Sequence, residues 1–117
     1  MKAGELVLIP FPQADLSPGK LRPALVIAES PGNHDDFLLA LVTSRLYQAV
    51  PDFDEIITTD DPDYGTSRLK RPSVVRLGRL ATVERTTIVA RLGRISPQRL
   101  ARIQQTLSSW LLAASPS

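Results

Sequence analysis

Lys20–Glu29 reads KLRPALVIAE: a cation, an Arg-Pro pair, then Ala24, Leu25, Val26 and Ile27 with no polar break. A strand with one wet face alternates apolar and polar residues, whereas a short unbroken apolar run bounded by turn residues is expected of a strand covered on both faces. Arg22–Glu29 is therefore expected to be a central strand.

Working outward, Glu5–Ile9 forms the preceding strand, and the two are joined by a polar loop holding Pro10, Pro12, Asp15, Ser17, Pro18, Gly19 and Lys20. That mixture sets turn geometry and cannot continue a strand; its length suggests a mobile flap. On the other side, Ser30–Asn33 makes a turn before the apolar strand Phe37–Ser44, which ends in the hydroxyl pair Thr43 and Ser44. Glu55–Thr58 is a weaker strand, and Asp60, Asp61, Pro62, Asp63, Tyr64 and Gly65 form an acidic turn. Ser73–Leu77, Arg79–Val83 and Ile88–Leu92 supply further strands, with turns near Gly78 and at Glu84–Thr86. The period then changes. Ser96 is a good N-cap, Pro97 suits the first helical position, and Leu100, Ile103, Leu107, Trp110 and Leu111 follow at helical spacing. Many short strands closed by one helix predict a mainly β protein, a small barrel or half-barrel with a C-terminal helix, as a single domain over residues 1–117.

The 117 residues, 43% hydrophobic and 22% charged, suit one soluble globular domain with its own core. With no cysteine, disulfides, thiolate metal sites and a cysteine nucleophile are excluded. The N-terminal apolar run Leu6–Ile9 is too short for a signal-peptide core or a membrane span, so a cytoplasmic protein without membrane contact is expected. The net charge of +2 hides an asymmetry: Arg68, Lys70, Arg71, Arg76, Arg79, Arg85, Arg91, Arg94, Arg99 and Arg102 face a single later acid, Glu84. Such a basic half suits a phosphate-binding or acid-binding surface, although arginines also serve simply as solvated surface residues.

The only histidine, His34, sits in a predicted turn between Asn33 and Asp35, which rules out a two-histidine ribonuclease mechanism. Asp35 with Asp36, and Asp60, Asp61 and Asp63, lack the glycine and glutamate spacing of a calcium loop and read as turn residues, so no metal is expected. Without a glycine-rich phosphate loop or a nucleophile-elbow serine, nucleotide cofactors and acyl transfer are not expected either. What remains is arginine and hydroxyl at strand ends: Arg22 before Pro23, Thr43 and Ser44, and Arg76 after Val74 and Val75. A guanidinium stays protonated and offers paired donors to phosphate oxygens, and a threonine hydroxyl can orient the same phosphate. A structural ion pair is the competing reading for Arg22 and Arg76.

The segment Lys20–Ile27 closely resembles the Arg-Pro strand of the MazF/PemK toxins, and Gly4-Glu5 resembles that family's opening Gly-Asp/Glu pair. Leu41–Ser44 is similar to its second signature and Ser73–Arg76 to a third; the resemblance covers nearly the whole chain in the family's order. It implies an SH3-like β-barrel and a metal-independent endoribonuclease, the toxin of a type II toxin-antitoxin system. Carried over by position, Arg22 and Thr43 would engage the scissile phosphate, Arg76 would act as an acid, and Lys20, Ser44 and Arg79 would bind RNA. PemK-like members place a basic aspartate two residues after the arginine, where this chain has Gly78, so the general base is not identified. The reaction implied is attack of a ribose 2′-hydroxyl on its own phosphate in single-stranded RNA, whose splayed bases can be read. The resemblance further implies a homodimer, a cognate antitoxin with an acidic segment that folds on binding, and operator DNA contact only through the antitoxin complex. Gly78 also supports an alternative, a non-catalytic binding module on the same barrel: a degenerate toxin, a DNA-binding regulator or a gyrase-poisoning relative. A general scaffold or chromatin module would show neither toxicity nor an antitoxin.

Overall fold

A computed structural model describes residues 1–10 and 20–116. The strands are β1 (Glu5–Pro10), β2 (Leu21–Glu29), β3 (Asp36–Thr43), β4 (Glu55–Ile57), β5 (Ser73–Glu84) and β6 (Ala90–Arg94), with a short helical turn α1 (Tyr64–Ser67) and the closing helix α2 (Pro97–Ala113). All six strands join one antiparallel sheet in the order β4-β5-β3-β2-β1-β6. The bulk of the expected flap, residues 11–19, lies outside the described residues.

The unbroken apolar run in β2 has the expected cause. Leu25 and Ile27 enter a core that includes Leu6, Val42, Val75 and Leu77 and is covered by Ile103 and Leu107 of α2. Ala24 and Val26 enter a second core with Val7, Ile9, Phe37 and Leu39 on the other face. Neither face of β2 is wet, so neither can carry polar side chains cheaply.

The strand β5 differs from expectation. Instead of two strands with a turn near Gly78, it runs unbroken for 12 residues. The β3–β5 register pairs Ala40 with Leu80 and then Leu41 with Arg76, so Leu77, Gly78 and Arg79 are looped out as an irregularity within the strand. Such an insertion bends a strand sharply. Here it lets Val75 and Leu77 serve the helix-side core while Ala81 and Val83 pack against the other. β6 begins two residues later than expected, because a 3₁₀ turn at Arg85–Thr87 and the extended pair Ile88 and Val89 come first.

The closing helix starts as expected: Ser96 Oγ accepts the Arg99 N–H at 3.1 Å and Pro97 occupies the first turn. Ile103 and Leu107 are buried, and Trp110 meets Phe53 edge-to-face with ring centroids 5.2 Å apart, while Leu111 stays exposed. Among the described residues, no helix is long and apolar enough to cross a membrane.

Candidate active-site cleft

At one end of the sheet the start of β2, the end of β3 and the connection from α1 to β5 enclose a cleft of about 520 Å³. Leu8, Pro23, Val42, Leu69 and Leu92 give it an apolar wall; Arg22, Thr43, Ser44, Arg45, Arg68, Lys70 and Arg71 supply the polar groups. The β2–β3 ladder ends at the Ala24–Leu41 pair, and Arg22 and Thr43 each lie two residues beyond it along their strands. Opposite positions in an antiparallel pair present their side chains to the same face, which is how residues 21 apart in sequence reach one cleft.

The lining residues include five cations and no carboxylate. Like charges gathered against an apolar wall focus a positive potential, which favours an anion entering the cleft. The Thr43 Oγ1 accepts the Arg45 N–H at 3.2 Å, so its own proton is available for an incoming oxygen. Arg68 closes α1 in the left-handed conformation, φ 60°, and this turn delivers Arg68, Lys70 and Arg71 to the cleft.

Not every residue expected at the site gathers there. Arg76 is absent from the lining. It pairs across the sheet with Leu41, and its Nη1 donates to Gln48 Oε1 at 2.8 Å while its Nε lies 3.6 Å from Asp54 Oδ2. Asp54, its side chain 1% exposed, also accepts the Val50 and Leu77 N–H groups at 2.8 and 2.9 Å. Arg76 thus fastens the Leu46–Gln48 turn and the segment after it to β5. Arg79 is exposed within the looped-out part of β5, and Lys20 is exposed just ahead of β2; neither lines the cleft. Arg45, Arg68, Lys70 and Arg71 do line it. In sequence the last three are simply three of the ten cations from Arg68 onward, and only folding brings them to Arg22.

A second charged cluster is structural. Arg99 on α2 is buried, its Nε and Nη2 donating to Asp63 Oδ2 and Oδ1 at 2.8 and 3.1 Å and its Nη1 to Glu55 at 3.0 Å. Asp61 lies 3.2 Å away. The acidic turn therefore seats the helix, with Asp63 also accepting the Ser96 N–H. Burial pushes the Asp63 carboxyl up, but the Arg99 and Ser96 hydrogen bonds and the Arg99 charge outweigh it and hold the carboxyl below its ordinary value. Asp61 is held low chiefly by the Thr58 N–H, against burial and with help from Arg99. Burial pulls Arg99 down, and its acidic neighbours, Asp63 first, more than restore it. His34 is exposed in its turn.

A family model describing PemK-like, MazF-like toxins of type II toxin-antitoxin systems matches residues 2–111. The chain is similar to MazF from Deinococcus radiodurans, at 27% identity over 95% of this chain and 96% of that one, with a TM-score of 0.69. It shares its fold with the Mycobacterium tuberculosis toxin MazF-mt6, at 13% identity, 95% and 99% coverage and a TM-score of 0.66. The same fold occurs in a mycobacterial endoribonuclease in complex with its cognate antitoxin, at 14% identity, 99% coverage of both chains and a TM-score of 0.64. No curated protein matches the sequence. The chain belongs to the PemK-like, MazF-like toxin family of type II toxin-antitoxin systems. It is accordingly a toxin of the endoribonuclease class.

Proposed function

We propose that this toxin cuts single-stranded RNA without a metal, with the scissile phosphate seated between Arg22 and Thr43. The supporting observation is that these two side chains, from different strands, line one cationic cleft. There a ribose 2′-hydroxyl attacks its adjacent phosphorus, the bond to the 5′-oxygen of the next nucleotide breaks, and a cyclic phosphate and a free 5′-hydroxyl result. Arg22 stabilises charge gathering on the non-bridging oxygens, Thr43 orients the phosphate, and Ser44 assists binding. Lys20 and Arg79 are assigned to RNA outside the cleft. Arg76 is assigned to holding the segment after Ser44, on its hydrogen bond to Gln48 and its ion pair with Asp54.

The working form is proposed to be a cytoplasmic homodimer, neutralised by a cognate antitoxin whose acidic segment covers the cationic cleft. A mycobacterial relative and MazF of Deinococcus radiodurans have been solved with antitoxins, which supports this reading. Operator DNA would be met only through that complex. The test is cleavage of single-stranded RNA in excess chelator with mapped ends: turnover with cyclic phosphate products is expected, and an Arg22→Ala variant as fast as wild type overturns the site. A non-catalytic module is the second reading, favoured by the tie-off of Arg76 and by Gly78; it would bind RNA, DNA or protein without turnover.

A further inference from the structure

Beside the cleft lies a second hollow, of about 410 Å³, that shares Arg68 and Leu92 with it and is otherwise walled by Glu5, Thr66, Arg91, Gly93 and Arg94. A bulge builds its cationic side. The β1–β6 register pairs Val7 with Arg91 and then Leu6 with Gly93, leaving Leu92 extra, so that Arg91 and Arg94 both stand opposite odd-numbered residues of β1. Without that extra residue, side chains three apart would point to opposite faces. Arg94 sits directly opposite Glu5.

The Glu5 Oε2 atom is buried and takes no hydrogen bond among the described residues. Arg91 Nη1 stands 3.6 Å away, close enough for attraction and too far for a hydrogen bond. With one oxygen unpartnered and 18% of the side chain still accessible, Glu5 lines the hollow with acceptor capacity left for a ligand. The arginines around it would welcome a phosphate, whereas the carboxylate itself would repel an acidic peptide and requires a ligand bearing N–H groups.

Resting on the nuclease reading, we propose that this hollow receives the nucleotide adjoining the scissile phosphate. Arg68 and Arg94 hold its backbone, and Glu5 accepts a hydrogen bond from the exocyclic amine of an adenine, cytosine or guanine. Uracil has no exocyclic amine; its one base-edge donor, N3–H, lies between two carbonyl oxygens that a carboxylate repels, so uracil is disfavoured there. Glu5 is thus a specificity residue that touches substrate.

The test uses the full-length toxin and single-stranded oligoribonucleotides varied at each position flanking the cut, with products end-mapped. At one flanking position wild type is expected to cut uracil-containing RNA about tenfold or more slowly than the other three. Glu5→Gln, whose amide can donate to a uracil carbonyl, should abolish that difference, and Arg94→Gln should weaken all four equally. Unchanged base preference in Glu5→Gln, or a shift in thermal midpoint alone, overturns the proposal. Should wild type cut no RNA, the nuclease reading fails instead. Binding of oligonucleotides carrying a 2′-deoxyribose at every position then decides the base preference by fluorescence anisotropy, equal affinity for all four bases counting against Glu5.

Discussion

Arg99 and Asp63 meet through two parallel hydrogen bonds, Nε to Oδ2 at 2.8 Å and Nη2 to Oδ1 at 3.1 Å, with both side chains about 95% covered. The pair joins the first turn of α2 to the segment entering α1, so it decides where the closing helix sits on the sheet. Removing one partner strands the other as a buried charge, which costs about 3–5 kcal/mol. Asp63→Ala should lose that much in urea unfolding. Arg99→Lys, which keeps the charge and loses the fork, should also fall well below wild type.

The same cluster sets an acid limit. Asp63 and Asp61 titrate below their ordinary values in the folded protein, so their contribution is fully present above the unfolded carboxylate range. It is lost as pH falls through the lowered folded values, that is, from about pH 4 downward. Thermal midpoints recorded across acid pH should fall steeply for wild type in that window and less steeply for Asp63→Asn.

Gly93 and Gly78 should respond oppositely to alanine. A Cβ on Gly93 would collide with the backbone of Thr66 and Ser67, groups that cannot swing away, whereas a Cβ on Gly78 would meet open space. Gly93→Ala is expected to cost about 1–3 kcal/mol. Gly78→Ala should be neutral or gain up to about 1 kcal/mol through a less flexible unfolded chain. Chemical denaturation of both variants checks the contrast.

Arg68 holds a left-handed backbone that glycine adopts without strain, so Arg68→Gly should leave the melting temperature equal or higher. It removes a cation from the cleft, and RNA affinity should fall with a salt dependence shallower by about one phosphate contact. A salt titration of binding measures this. A variant that loses stability and keeps its salt slope would contradict the assignment.

Arg22 and Arg76 should separate chemistry from support. Arg22→Ala is expected to slow cleavage by about 10²–10³-fold, the scale of losing one donor to a developing oxyanion, while stability stays within about 0.5 kcal/mol. Arg76→Ala leaves the buried Asp54 without its cation and should cost about 1–3 kcal/mol, with a smaller loss of rate. Single-turnover kinetics alongside urea melts distinguish the two.

Local pattern was enough for the central strand, the cap at Ser96 and the helix after it, because each depends on neighbours within a few residues. The Arg22–Thr43 pairing was legible only through family resemblance. Its physical basis, the Ala24–Leu41 register, is a long-range relationship that no local spacing expresses. Gly78 misled for a related reason: glycine marks turns and looped-out strand residues alike, and the competing demands of two cores decided between them.

By itself, the sequence determined a mainly β chain ending in a capped amphipathic helix, with its arginines concentrated in the second half. Tertiary structure alone decided where each arginine stands. Arg68, Lys70 and Arg71 were folded against Arg22, Arg76 was drawn to Gln48 and Asp54, and Arg99 was buried to anchor the helix. One side-chain type took three roles, because a guanidinium's role is set by the acceptors and solvent around it, and these are fixed only when distant segments meet.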